Sequence, residues 1–210
     1  MVRSVHTSAH VSSVTEADVT SMVAYRERMK GDFERREGFK LTYTSFFMDA
    51  VAKALNDYPL LNSSIEGDSI VMHKDINLGI AVALENGLIV PVVRNADTKN
   101  VFELAKDLHE LSNRARTKKL LPEDVQGGTF TITNPGIFRN LYGTPIINQP
   151  QVAILGIGAI KKRPVVINDA IAIRSMVYIS MSYDHRIIDG MLGSKFLQRV
   201  TEYLEQLHLT

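Results

Sequence analysis

Apolar positions change period several times along this chain, and each change marks an element. Over the first twenty residues Val5, Val11, Val14 and Val19 stand among Ser and Thr, which predicts an extended strand. Met22, Val23, Met29 and Phe33 then recur at helical spacing while Arg26, Arg28, Lys30, Glu34 and Arg35 fill the other faces. This amphipathic helix ends at Glu37 and Gly38. A second helix is predicted over residues 45–57, where Phe46, Phe47, Ala50, Val51, Ala54 and Leu55 form a wide apolar face that must be buried; Pro59 stops it.

A β-rich region follows, with strands at residues 69–72, 78–84 and 88–93. Glu85, Asn86 and Gly87 separate the last two, and Asn before Gly between apolar runs is a hairpin signal because both tolerate positive φ. Residues 97–100 can cap a third helix carrying Val101, Leu104, Ala105, Leu108 and Leu111 on one face, with Arg114, Arg116, Lys118 and Lys119 toward its end. Residues 121–124 read as a short turn or helical start. From Thr129 the pattern is β again, at 129–133, 152–160, 164–167 and 170–181, with Asn168 and Asp169 as a hairpin turn. A terminal helix from about Met191 buries Leu192, Phe196, Val200, Tyr203, Leu204 and Leu207. Helices with mostly hairpin-linked strands describe an α/β sandwich with a mixed sheet, not a doubly wound dinucleotide fold. Gly156 and Gly158 lack the third glycine and the following helix of a dinucleotide motif.

Composition narrows the function. The 210 residues carry 24 Lys and Arg against 23 Asp and Glu, a formal charge of +1, which argues against a nucleic-acid partner held by a basic field. Hydrophobic residues at 45% and charged residues at 22% are those of a folded domain. No repeat or linker divides the chain, so residues 1–210 are read as one domain. The absence of cysteine removes disulfides, thiolate metal sites and a cysteine nucleophile. No apolar run approaches the ~18 to 20 residues that cross a bilayer, and the N-terminus is too polar for a signal peptide, so no membrane partner is expected.

The densest polar cluster is Ser182, Tyr183, Asp184, His185 and Arg186, followed by Asp189 and Gly190, where a long apolar strand ends and a helix begins. On residues alone His185 is either a structural histidine in a salt-bridged turn or a general base. Asp184 and Arg186 read equally as structural ion-pair members. A metal pair of His185 and Asp189 finds no second histidine or carboxylate pair at ligand spacing, so no metal is expected.

The segment SYDHRIIDG resembles the His-x-x-x-Asp-Gly signature of the dihydrolipoamide acyltransferases, the core enzymes of 2-oxo acid dehydrogenase complexes, and of the related chloramphenicol acetyltransferases. GGTFTITNPG at 127–136, TPIINQPQVAILGIG at 144–158 and ENGLIVPVVRNAD at 85–97 stand in that family's order, so the resemblance spans essentially the whole chain. It implies a chloramphenicol acetyltransferase-like two-layer α/β sandwich, with a mixed, mostly antiparallel sheet and helices packed on one side.

The resemblance also implies roles. His185 is the general base for a thiol, Thr133 the hydroxyl donor to the oxyanion, and Asp189 part of the signature that holds turn and imidazole; the separation of base and donor, 185 − 133 = 52, is of the family's kind. Coenzyme A is the acyl carrier contacted by Arg26, Thr42 and Asn134, and the lipoyl group arrives on a separate domain. Some relatives carry an Asp where this chain has Ala83. The implied assembly is a homotrimer with the site between subunits, building a cubic 24-mer or dodecahedral 60-mer through the C-terminal helix around residues 203–207 and the apolar tail Leu207, His208, Leu209. Decarboxylase and dihydrolipoamide dehydrogenase components bind through lipoyl and subunit-binding domains that this chain lacks, so the length is read as a catalytic core cut from a longer chain. The expected location is the cytoplasm, or the mitochondrial matrix in a eukaryote. Around residues 137–143 and 155–158 only Arg139 offers a cation for a succinyl carboxylate, which favours acetyl or branched-chain acyl groups. The competing readings are a scaffold with a decayed site and an antibiotic O-acetyltransferase.

Overall fold

Strand β11 (Ala170–Asp184) organises the sheet. In this computed structural model, which describes residues 2–85 and 87–206, β11 pairs antiparallel with β1 (His10–Asp18) on one edge. Its other edge takes β9 (Ala153–Ile157) and then β10 (Lys161–Ile167), both antiparallel. β9 continues in parallel to β8 (Phe130–Thr133), β8 in parallel to β4 (Leu78–Ile80), and β4 antiparallel to β7 (Val92–Val93). The sheet is therefore mixed, with antiparallel pairings in the majority.

Period-two alternation gives β11 two different faces. Val177, Ile179, Met181 and Tyr183 are buried in the hydrophobic core. Ser180 and Ser182 alternate with them, and Ser182 hydrogen-bonds Ser12 of β1. The core is closed by α2 (Thr20–Glu37), α3 (Thr44–Asp57), α4 (Val101–Arg116) and α5 (Gly190–Glu205). The apolar face predicted for α3 is buried throughout, from Phe46 to Leu55. Gly38 caps α2 with φ 78°, a left-handed conformation that glycine adopts without cost. Asn100 caps α4 in a reciprocal box with Glu103. Asn168 and Asp169 both have positive φ, as a two-residue primed hairpin turn requires.

Several expectations are corrected. Residues 2–7 form a short helix, α1 (Val2–Thr7), and only residues 10–18 are a strand. Val2 and Val5 are three apart, a helical spacing, and the Ser4 hydroxyl docks the turn by donating to the Ile147 carbonyl at 2.6 Å. The run 78–84 divides between β4 and β5 (Val82–Leu84), and 88–93 between β6 (Gly87–Ile89) and β7. Among the described residues β5 and β6 form a separate two-stranded sheet. Ala81 donates its N–H to Ile132, and Pro91, lacking an N–H, accepts from Ile80 at the same break. β2 (Ser63–Glu66), which pairs with β3 (Ser69–Met72), was not anticipated because SSIE shows no apolar alternation. β11 runs to Asp184, three residues past its expected end, which carries Asp184 into the buried strand. Asn86 and the tail 207–210 lie outside the described residues. Among the described residues no helix is long and apolar enough to cross a membrane.

Candidate active site

His185 sits on the turn between β11 and α5. Its backbone N–H is tied to the Ala9 carbonyl at 2.8 Å, at the entry to β1. The side chain is exposed, its ring 6.1 Å from that of Tyr183, and no described residue hydrogen-bonds the imidazole. Asp189 does not reach it: its carboxylate accepts the Leu192 N–H at 2.7 Å and caps α5. The acid that holds the turn is Asp184, fully buried and paired with Arg186. Burial pushes the Asp184 carboxyl up, but hydrogen bonds from the Arg186 guanidinium, the Ser8 hydroxyl and the Arg186 N–H outweigh it and bring it down to about 2. A carboxyl held that low contributes stability at all pH values above the ordinary carboxylate range and loses it only in strong acid.

Thr133 ends β8, half-buried. It pairs with Gly156, and Gly156 with Ser180, so Thr133 and Ser180 share a row across two strand spacings. His185 lies 185 − 180 = 5 residues beyond that row. At ~3.3 Å per residue and ~4.8 Å per strand, the two backbones are about 19 Å apart at opposite ends of the sheet. A base and an oxyanion donor must each come within about 3 Å of neighbouring atoms of one reacting group. Within one chain these two cannot.

Next to Thr133 opens a cleft of about 600 Å³. Arg26, Thr42 and Asn134, drawn from three separate segments, all line it, as does Ala83. Asn134 is held by its amide on the Thr44 hydroxyl at 3.2 Å. Arg26 donates Nε to the Leu41 carbonyl at 2.9 Å, pairs with Glu27, and lies 5.1 Å from the Tyr43 ring centre. Residues that the sequence reading missed complete the cleft: Lys40, and from α4 His109, Ser112 and Arg116. Their signal was present in α4, since 105, 109, 112 and 116 follow helical spacing on one face. No carboxylate among the described residues lines the cleft. Among the described residues Lys40 and Arg116 have no carboxylate partner. Apolar walls with uncompensated cations at the rim suit a ligand that is part hydrophobic and part anionic. The described residues contain no group of three or more metal-ligating side chains.

A mixed sheet with helices on its core face, and with polar sites at its two ends, makes a two-layer α/β sandwich. Chloramphenicol acetyltransferase shares the fold, with a TM-score of 0.57 at 19% identity over 94% of this chain and 89% of that one. The family model for 2-oxoacid dehydrogenases acyltransferase (catalytic domain) matches residues 1–210, and the chain belongs to that family.

A lipoamide acyltransferase component of the branched-chain alpha-keto acid dehydrogenase complex of Bacillus subtilis is 48% identical over 208 residues, 99% of this chain and 49% of that protein. A succinyltransferase component of the 2-oxoglutarate dehydrogenase complex of Bartonella vinsonii is 46% identical over 200 residues, 95% of this chain and 49% of that one. The chain thus spans about half the length of these relatives. Among solved structures, a probable dihydrolipoamide acetyltransferase of Listeria monocytogenes superposes with a TM-score of 0.97 at 43% identity, covering 100% of this chain and 91% of that one. The dihydrolipoamide acetyltransferase of Azotobacter vinelandii, studied for the roles of a serine, a histidine and an asparagine in its catalytic mechanism, gives 0.94 at 36% identity over 98% and 85%.

Proposed function

We propose that this chain moves an acyl group between the thiol of dihydrolipoamide and that of coenzyme A, in a site shared by two copies. The observation that carries the reading is the cation-rimmed cleft, lined by no carboxylate among the described residues, that opens beside Thr133 and gathers Arg26, Thr42 and Asn134. The serine, histidine and asparagine named for the Azotobacter enzyme are 52 and 4 residues apart. Thr133, His185 and Asp189 have the same separations, with Thr for Ser and Asp for Asn.

The chemistry needs little more. A thiol with a pKa near ~8.5 is mostly protonated at neutral pH. The neutral imidazole of His185 takes the thiol proton as sulfur attacks the thioester carbonyl, and the Thr133 hydroxyl of a neighbouring copy donates to the oxyanion that forms. Collapse expels the second thiolate, which takes the proton back from the imidazolium. Donor and acceptor are bound together, so no acyl-enzyme is required. The lipoyl group arrives on a separate domain. The copies associate as a homotrimer that builds a cubic or dodecahedral core, with decarboxylase and dihydrolipoamide dehydrogenase components as partners.

Acetyl or branched-chain groups fit better than succinyl, because Arg139, the one cation within residues 137–143 and 155–158, is exposed with φ 66°. Rates with acetyl, isobutyryl and succinyl coenzyme A decide this; a preference for succinyl overturns it. The cleft makes a separate prediction. Arg116→Ala raises KM for acyl-coenzyme A about 10-fold or more, as expected for losing a charge-assisted phosphate contact, with kcat unchanged. KM for the corresponding S-acyl pantetheine, which lacks the nucleotide phosphates, stays put. Equal effects on both substrates would remove the phosphates from this cleft.

A further inference from the structure

We propose that Asp184 and Arg186 form a charge-neutral clamp that positions His185, acting through the turn and not on the substrate. The proposal rests on His185 being the base.

The Arg186 Nε donates to Asp184 Oδ1 at 2.9 Å and Oδ2 at 3.2 Å, and Nη2 donates to Oδ2 at 2.6 Å. The Arg186 backbone N–H adds a bond to Oδ1 at 3.1 Å. The residues on either side of His185 are thereby closed on one another. The Asp184 N–H donates to the Val152 carbonyl just before β9, and its own carbonyl accepts from Ile187 and Ile188. With the His185 N–H on Ala9, the turn is anchored to the entries of β9 and β1 and to its own next residues. A forked guanidinium on a buried carboxylate fixes orientation as well as distance, which an ammonium does not.

The pairing also sets the charge beside the base. β1 contributes His10, opposite Asp184 in register, with Nδ1 on the Ser8 carbonyl and Nε2 accepting from the Ile147 N–H. β11 itself contributes Tyr183. α5 contributes Asp189, already engaged as its cap, and β9 contributes no titratable group in residues 153–157. A guanidinium stripped of its carboxylate would therefore stand one residue from the imidazole without compensation.

The test uses the assembled protein and steady-state acyl transfer. Asp184→Asn is expected to lower kcat by ~10-fold or more, since displacements of about 1 Å at a reacting group cost up to ~100-fold, while KM for both substrates holds. Its acid limb moves to lower pH, because an uncompensated cation favours the neutral imidazole. Combining it with Arg186→Gln restores neutrality and returns the limb, while kcat remains low because the clamp is gone. Arg186→Lys keeps the charge and loses the fork, so kcat falls with the limb in place. An unmoved limb in Asp184→Asn, or recovery of kcat in the double variant, overturns the clamp. If Asp184→Asn does not assemble, unchanged kcat in Arg186→Lys overturns it alone. His185→Ala separates the two claims: if it stays active the base assignment fails, whereas an inactive His185→Ala with an unmoved limb in Asp184→Asn rejects only the clamp.

Discussion

His185→Ala lowers kcat for acyl transfer by about 10² to 10⁴-fold, the range that a positioned general base contributes. Little else changes. The imidazole is exposed and has no hydrogen-bond partner among the described residues, so its removal leaves no buried group unpaired. The bond that fixes the turn is the backbone N–H to Ala9, which alanine keeps. KM for acyl-coenzyme A and the sedimentation of the oligomer are therefore expected to match the parent. Steady-state kinetics with both thiols, alongside sedimentation, check this. Retained activity would place the base elsewhere, and loss of the oligomer would make His185 structural.

Thr133→Ala is expected to cost about 10² to 10³-fold in kcat, the loss seen when one oxyanion donor is removed. Packing could confound this, because Thr133 is half-buried at the end of β8 and its truncation removes a methyl group too. Thr133→Ser resolves the matter. It loses the methyl and keeps the hydroxyl, so activity within a few-fold of the parent assigns the effect to the donor; equal loss in both variants assigns it to packing. The neighbouring turn has no room for a side chain, since a Cβ on Gly136 would collide with the Gly158 carbonyl.

Local pattern made the helices legible. The apolar face of α3, the Asn100 cap of α4 and the αL glycine that ends α2 each depend on residues a few positions apart, and each is present. The hairpin of β10 and β11 was legible for the same reason, because Asn168 and Asp169 carry the turn locally. The division of 78–84 was not. It depends on β4 choosing β8 and β7 as partners, one of them some fifty residues away, and no periodicity encodes that choice. Signature resemblance brought His185 and Thr133 to attention together, but their placement at opposite ends of the sheet follows from strand order. Arg116 is legible as part of the basic end of α4, but that it and Lys40 line one cleft is not, because a cleft between α4 and the segment after α2 is a tertiary feature.

In the proposed mechanism one catalytic site combines His185 of one copy with Thr133 of another, because about 19 Å of sheet separates them within a chain. Mixing the two inactive variants tests it. Equal amounts of His185→Ala and Thr133→Ala chains, dissociated and reassembled together, place an intact histidine against an intact threonine at one interface in four on random assortment around a symmetric ring. Recovery to about a quarter of the parent activity is expected, from two preparations that are each inactive. A mixture no more active than its components, with exchange of chains verified by mass-tagged copies, would contradict it.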